Sequence, residues 1–242
     1  DFSREKNNII SLLSKKVDGI IISPIDEKSA NINILSKYGI EAVIVDSFPY
    51  FKNHSYVYSD HVKGSQLATE YLINNGHRDI LLMTAPIQEK VKANHFIEGY
   101  RNTLKKHNIE FQEELILQAE ELSIEGGYTT FKKLLTENFN SNLLHFTGVI
   151  TISDLLAIGI YKAGIELGFN IPGNYSVVGY DNIEVTSVLS PPLTTIHQPR
   201  KRIGKESVQL LLHSIENKEK IRKSVVFDPH LVIRGSVRNI IH

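Results

Sequence analysis

Three places in this chain put oxygen-bearing side chains straight after a short apolar run. Asp46 follows Ala42-Val43-Ile44-Val45, Ser153-Asp154 follows Val149-Ile150-Thr151-Ile152, and Asp181 follows Val177-Val178-Gly179-Tyr180. Runs of this kind read as buried strands, and in open α/β sheets ligands bind outside the carboxyl ends of the strands. An ionised carboxylate there accepts from neighbouring hydroxyls, and such charge-assisted bonds suit it to holding a polyol. The same residues have an ordinary use, because Asp, Asn and Ser at strand ends commonly cap the next helix or turn. Asp154 directly precedes a long helical pattern and is the expected cap. Asp46 runs into Ser47-Phe48-Pro49, a turn rather than a helix, so its carboxylate has fewer backbone N–H groups to serve. Asp46 and Asp181 are therefore the residues expected to meet a ligand.

Signatures of catalysis and of cofactors are missing. There is no G-x-G-x-x-G after a strand and no G-x-x-x-x-G-K-[ST], which leaves no backbone nest for a pyrophosphate. A G-x-S-x-G elbow, an H-E-x-x-H pair and an Asp-rich calcium loop are absent too. The chain has no Cys, and no two of its 10 His residues stand four apart. No catalytic residue, metal ligand or cofactor is expected. His77 and His197 read as hydrogen-bonded turn and strand residues, and Gly126-Gly127, inside a helical pattern, as a point of close helix packing.

The elements that must position these groups alternate. Apolar runs exchange with 3.6-period stretches, the pattern of a mostly parallel sheet with helices on its faces. Strands are expected at 19–22, 42–45, 56–58, 80–84, 115–117, 148–152, 176–180, 193–197, 224–227 and 231–233. Helices are expected over an opening stretch containing Ile9, Ile10, Leu12 and Leu13, then 29–38, 64–75, 92–107, 125–136, 154–167 and 200–216. In the last, Ile203, Val208, Leu211 and Leu212 are expected to face inward, and the strand at 19–22 to be buried on both faces. The 242 residues suffice for one large domain or two smaller lobes, with no Pro- or Gly-rich linker between any two segments. The 27 Lys and Arg balance 27 Asp and Glu, so no net field draws the whole molecule onto nucleic acid or an anionic membrane. No apolar run reaches the 18 or so residues of a membrane span.

Six segments carry a resemblance. Val177 to Asn182 (VVGYDN), Pro191 to Pro199 (PPLTTIHQP), Leu231 to Ser236 (LVIRGS), Lys16 to Ile21 (KVDGII), Asn75 to Ile80 (NGHRDI) and Ser153 to Gly159 (SDLLAIG) resemble, in order, the effector-binding region of the LacI/GalR family of bacterial transcription regulators. The resemblance implies an α/β, periplasmic-binding-protein-like fold. It has two lobes, each with a mostly parallel sheet flanked by helices, joined by three crossovers. The N-terminal lobe is then 1–59 plus 198–227 and the C-terminal lobe 60–197 plus 228–242. Crossovers fall near Asp60, Gln198 and Pro229, with the ligand in the cleft. It also implies that a helix-turn-helix, a hinge helix and the first strand-helix-strand of the effector domain precede Asp1.

By motif position the resemblance assigns ligand binding to Asp46, Phe96, Leu122, Ser153, Asp181 and Gln198. Ser153 stands where the family usually has Asn, and Leu122 where it often has a stacking aromatic. Phe96 stands where it usually has an Arg that grips polar ligand atoms. A Phe ring makes no bidentate bond, so it is expected either to stack on a sugar's C–H face or to pack in the core. Ile158 and Leu189 match apolar positions at a homodimer interface. The function implied is the effector-binding and dimerising core of a cytoplasmic regulator, a repressor that senses a small polar metabolite, a sugar foremost. It meets operator DNA through the preceding domain and has no membrane partner. The alternative is a periplasmic sugar-binding protein of a transport system.

Overall fold

The computed structural model describes residues 2–26, 28–84, 90–141, 145–217 and 222–241. Its first stretch runs α1 (Phe2–Ser14), β1 (Gly19–Ile22), α2 (Ile32–Lys37), β2 (Glu41–Val45) and β3 (Ser55–Ser59). A second runs α3 (His61–Asn74), β4 (Ile80–Thr84), α4 (Lys90–Lys106), β5 (Ile116–Gln118), α5 (Ile124–Ser141), β6 (Gly148–Thr151), α6 (Asp154–Leu167), β7 (Ser176–Asp181) and β8 (Thr194–His197). The chain closes with α7 (Arg200–Asn217), β9 (Ser224–Phe227) and β10 (His230–Val232). These elements form two compact units: Asp1–Asp60 with Pro199–Asp228, and His61–Gln198 with Pro229–His242. The chain passes from one to the other three times, each time next to a strand or helix end.

The smaller unit is a parallel sheet in the order β1-β2-β3-β9. Alternation along β2 supplies both of its cores. Ala42 and Ile44 join Ile9, Ile20, Ile32, Leu35 and Tyr56 in one cluster. Val43, with Val45 packed alongside, joins Val57, Ile203 and Leu210 in the other. The period of two puts successive side chains on opposite faces, so one strand serves two helical layers.

Three expectations fail here. The strand β1 is not buried on both faces: it lies at the end of the strand order, and Ile21 is 40% exposed. On α1 only Ile9 is buried, whereas Ile10 and Leu12 are exposed. On α7, Val208 and Leu212 are exposed; the buried stripe runs through Ile203, Ser207, Leu210 and Ser214, at spacings of four, three and four. Ser207 is accommodated there because its Oγ donates to the Ile203 carbonyl.

The larger unit has the order β10-β8-β7-β6-β4-β5, parallel except for the edge strand β10. Every residue of β4 and β6 is buried, as a sheet covered on both faces requires. Helix α3 packs with α4, and α5 with α6. The second pair crosses closely: a Cβ on Gly127 would stand 2.4 Å from the Leu156 carbonyl oxygen, and one on Gly159 2.3 Å from that of Ile124. Gly127 is thus the packing point its helical pattern suggested. His77 is fully buried and hydrogen-bonded to Thr147 Oγ1 and the Arg238 carbonyl. The sheet switches direction between β4 and β6, since β5 follows β4 on one side and β6 lies on the other. Such a switch opens a crevice outside the strand ends.

Candidate functional site

At the carboxyl ends of β6, β7 and β8, adjacent in the larger sheet, three of the expected residues meet directly. Asp181, the last residue of β7, accepts from Ser153 Oγ at 3.1 Å through Oδ2 and from Gln198 Nε2 at 2.6 Å through Oδ1. Ser153 and Gln198 are both buried. The carboxylate is held from two sides by a hydroxyl and an amide, one from each neighbouring strand end. Asp181 itself is half-buried.

Local structure explains how the chain reaches this arrangement. Ser153, in extended conformation, is the N-cap of α6, and its Oγ accepts from the Leu155 N–H at 3.3 Å. The expected cap was Asp154. Ser and Asp cap equally well, and the residue one step earlier has taken the post. That releases the Asp154 side chain for a different task. It is fully buried, with Oδ1 accepting from Thr195 Oγ1 at 2.6 Å and Oδ2 from the Ile183 N–H at 2.9 Å. Burial pushes its carboxyl up to about 6 and the neighbouring Asp181 charge adds to this, while the bonds from Thr195, Ile183 and the Asn182 backbone pull the other way.

Asp154 therefore anchors the turn that carries Asp181. That turn is unusual: Asp181 has φ of 120° and Asn182 φ of 56°. Non-glycine residues with positive φ are uncommon and persist where their surroundings hold them. Arg234 supplies a second hold, donating through Nη2 to Asn182 Oδ1 and through Nη1 to the Leu193 carbonyl and Thr186 Oγ1. Asn182 Nδ2 in turn lies 3.1 Å from His197 Nδ1. The residues of VVGYDN, TTIHQ and IRGS thus form one interlocked set around a single carboxylate. Position after a strand pointed to Asp181 and to the Ser153-Asp154 pair; the supporting Thr195 and Arg234 carry no such local mark.

The other expected residues sit as follows. Phe96, on α4, has no exposed surface; its ring stacks on His61 at 5.3 Å and meets Tyr180 edge-on at 4.7 Å. Tyr180 precedes Asp181, and its hydroxyl lies 3.0 Å from His61 Nδ1. Leu122, between β5 and α5, is half-buried against the main core. Asp46 is at the carboxyl end of β2 in the smaller unit, half-buried, with φ of 53° and its N–H bonded to the Val57 carbonyl. Ile158 on α6 and Leu189 after β7 are half-buried, and Leu155, Val185 and Val188, within a few residues of them in the sequence, are exposed. Among the described residues, no group of three or more His, Cys, Asp or Glu side chains is placed to hold a metal ion. No helix among them is long and apolar enough to cross a membrane.

Comparison with known proteins places this geometry. The family described as a periplasmic binding protein-like domain matches residues 69–237. The HTH-type transcriptional repressor PurR of Vibrio vulnificus is 33% identical over 99% of this chain and 70% of its own length. The ribose operon repressor of Escherichia coli K12 is 30% identical over 98% of this chain and 70% of its own. A LacI family regulator from Enterococcus faecium, solved with bound ribose, superposes with a TM-score of 0.85 at 30% identity over 96% of this chain and 84% of the other. The lac repressor dimer bound to operator gives a TM-score of 0.83 at 26% identity, over 96% of this chain and 78% of the other.

Proposed function

The chain belongs to the LacI/GalR family of transcriptional regulators, and on that premise we propose that it is the effector-binding and dimerising core of a repressor whose effector is a neutral sugar. The observation that carries this is the Asp181 carboxylate, fixed by Ser153 and Gln198 at the carboxyl end of β7. A half-buried acceptor beside a second buried carboxylate favours a ligand rich in donors and without negative charge of its own, which describes a polyol. Relatives solved with ribose and with cellobiose support the same class.

The roles divide as follows. Asp181, Ser153 and Gln198 bind the effector's hydroxyls. Leu122 adds apolar surface, while Phe96, enclosed by His61 and Tyr180, backs the site rather than gripping the ligand. The protein catalyses nothing. It works in the cytoplasm as a homodimer through Ile158 and Leu189, and reaches operator DNA through a helix-turn-helix domain. The ligand acts by population shift, and only to the extent that it binds one conformation of the regulator more tightly than another.

A periplasmic transport receptor shares this fold, but the relatives named above are repressors. The test is calorimetry of this chain with neutral mono- and disaccharides, phosphorylated sugars and nucleobases. The reading predicts saturable binding of a neutral sugar and none of its phosphate. Binding of nucleobases alone would replace it.

A further inference from the structure

One amide side chain joins two groups of opposite demand. Asn182, in the turn that follows Asp181, lies between Arg234 and His197. Arg234 Nη2 donates to Asn182 Oδ1 at 2.7 Å, and Asn182 Nδ2 lies 3.1 Å from His197 Nδ1. A guanidinium has donors only, so the atom it meets must be the amide oxygen. The amide nitrogen then faces His197, and since that nitrogen too can only donate, Nδ1 must accept. His197 is thereby fixed as the neutral imidazole with its proton on Nε2. A proton on Nδ1 removes the bond. The amide cannot turn round to meet it, because its nitrogen would then face the guanidinium, and a donor would oppose a donor at the other end. With His197 charged, one side of Asn182 is unsatisfied in either orientation.

The consequence reaches the carboxylate on which the site is built. Asp181 and Asn182 both have positive φ, a turn that persists only while its surroundings hold it. His197 is the register partner of Asp181 and directly precedes Gln198, whose amide donates to that carboxylate. Its ring is half-buried and exchanges protons with solvent. The charges around it divide. Asp181 favours the imidazolium, and Asp154, bonded to Thr195 of the same strand, does so when ionised. Arg234, beyond Asn182, opposes it, as does His230 of β10, whose ring lies 4.7 Å away in register, once that ring is protonated. Glu184, just past Asn182 in the chain, is exposed. On α3, His61 meets Tyr180, whose side chain points to the other face of β7 from that of Asp181. Along the chain the next charges are Arg200 and Asp228, beyond the crossovers in the smaller unit. An imidazolium drawn to Asp181 neutralises the acceptor that a polyol needs, so this attraction acts on binding in the same direction as the lost bond.

We infer that His197 is a positioning residue of the effector site, whose neutral form holds the turn carrying Asp181 and whose protonation weakens effector binding. The inference rests on the reading of Asp181 as the carboxylate that binds a neutral sugar, and adds to it a dependence on pH. A neutral sugar does not itself titrate, so any such dependence belongs to the protein.

The test compares the parent with His197→Gln and His197→Ala. Calorimetry is run with the tightest-binding sugar among ribose, glucose, galactose and cellobiose, at about pH 7.5 and about pH 5.5, on either side of the ordinary histidine value. Parent affinity is expected to fall about three- to tenfold between the two, the range of one hydrogen bond. Gln does not titrate but offers Asn182 an amide oxygen, so His197→Gln should bind like the parent at the higher pH and lose most of the fall. His197→Ala should bind weakly at both. Asp154 titrates in this window too, but it is present in every protein compared, so the difference between them isolates His197. Nitrogen NMR of the unliganded parent at the higher pH should show a bare Nδ1 and a protonated Nε2. The parent's full pH dependence in His197→Gln overturns the inference and leaves the sugar reading standing, as does a proton on Nδ1 of the neutral ring. The nitrogen spectrum decides even where a variant fails to fold. Failure of the parent to bind any of the four sugars overturns both.

Discussion

Asp154 shows how a residue's neighbours set its chemistry. Its carboxyl is raised to about 6 by burial, aided by the charge of Asp181, from an ordinary value of 3.8. The folded state therefore holds the proton more tightly than the unfolded chain. The stability this gives is complete below about pH 4 and is lost as pH rises through 6. His54 and His77 act in the opposite sense. Burial lowers both below 6.5; the Arg222 charge adds to this at His54, whereas at His77 the bond to the Arg238 carbonyl opposes it more than the Arg238 charge adds, and acidification through 6.5 costs stability. Replacing Asp154 by Asn removes the opposing gain, and the variant's melting temperature should fall more steeply than the parent's between pH 7 and pH 5. Parallel melting curves would show that Asp154 does not titrate in this window. At this scale the sequence was half legible. A polar residue after an apolar run marked Asp46, Asp181 and the Ser153-Asp154 pair, but the choice of cap went to the wrong partner of that pair. The Asp154–Thr195 and Asp181–Gln198 contacts span 41 and 17 residues, and no spacing rule reveals them before the strand order is known.

Among the elements, the crossing of α5 and α6 fixes where Ser153 stands. Gly159 presses against the Ile124 carbonyl and the Tyr128 N–H, at 2.3 and 2.4 Å from an added Cβ, and both are backbone atoms that cannot swing aside. Gly159→Ala should cost on the order of 1 to 3 kcal/mol in chemical denaturation and weaken effector binding as the N-terminus of α6 shifts. An Ala variant of parental stability would mean that the helices separate freely. Element type was the most legible level, because buried parallel strands and 3.6-period helices leave strong patterns. The spans of β1, β4, α6 and β9 agree with those expected from the sequence. Orientation within an element was less so. On α7 the inward stripe includes Ser207 and Ser214, which hydropathy counts as polar, while Val208 and Leu212 belong to the exposed side. Small hydroxyl residues that bond their own helix backbone are invisible to an apolar count.

For the whole molecule, a balanced charge of 27 against 27 leaves association to shaped surfaces rather than to a net field. If Ile158 and Leu189 face their own copies across a two-fold axis, a charge at Ile158 enters the interface twice. Ile158→Asp should weaken dimerisation by at least about a hundredfold, roughly 3 kcal/mol, in sedimentation experiments. A variant that sediments as the parent dimer would move the interface elsewhere. The central claim is that Asp181 grips a neutral sugar. Its most direct test is calorimetry of Asp181→Ala against the parent, with the neutral sugar that the parent binds. A carboxylate bonding hydroxyls contributes on the order of 1.5 to 3 kcal/mol, so affinity should fall roughly ten- to more than a hundredfold, with melting of the unliganded variant measured alongside to show that it is folded. Unchanged affinity in the variant, or binding by the parent confined to phosphorylated or carboxylate ligands, would contradict the account.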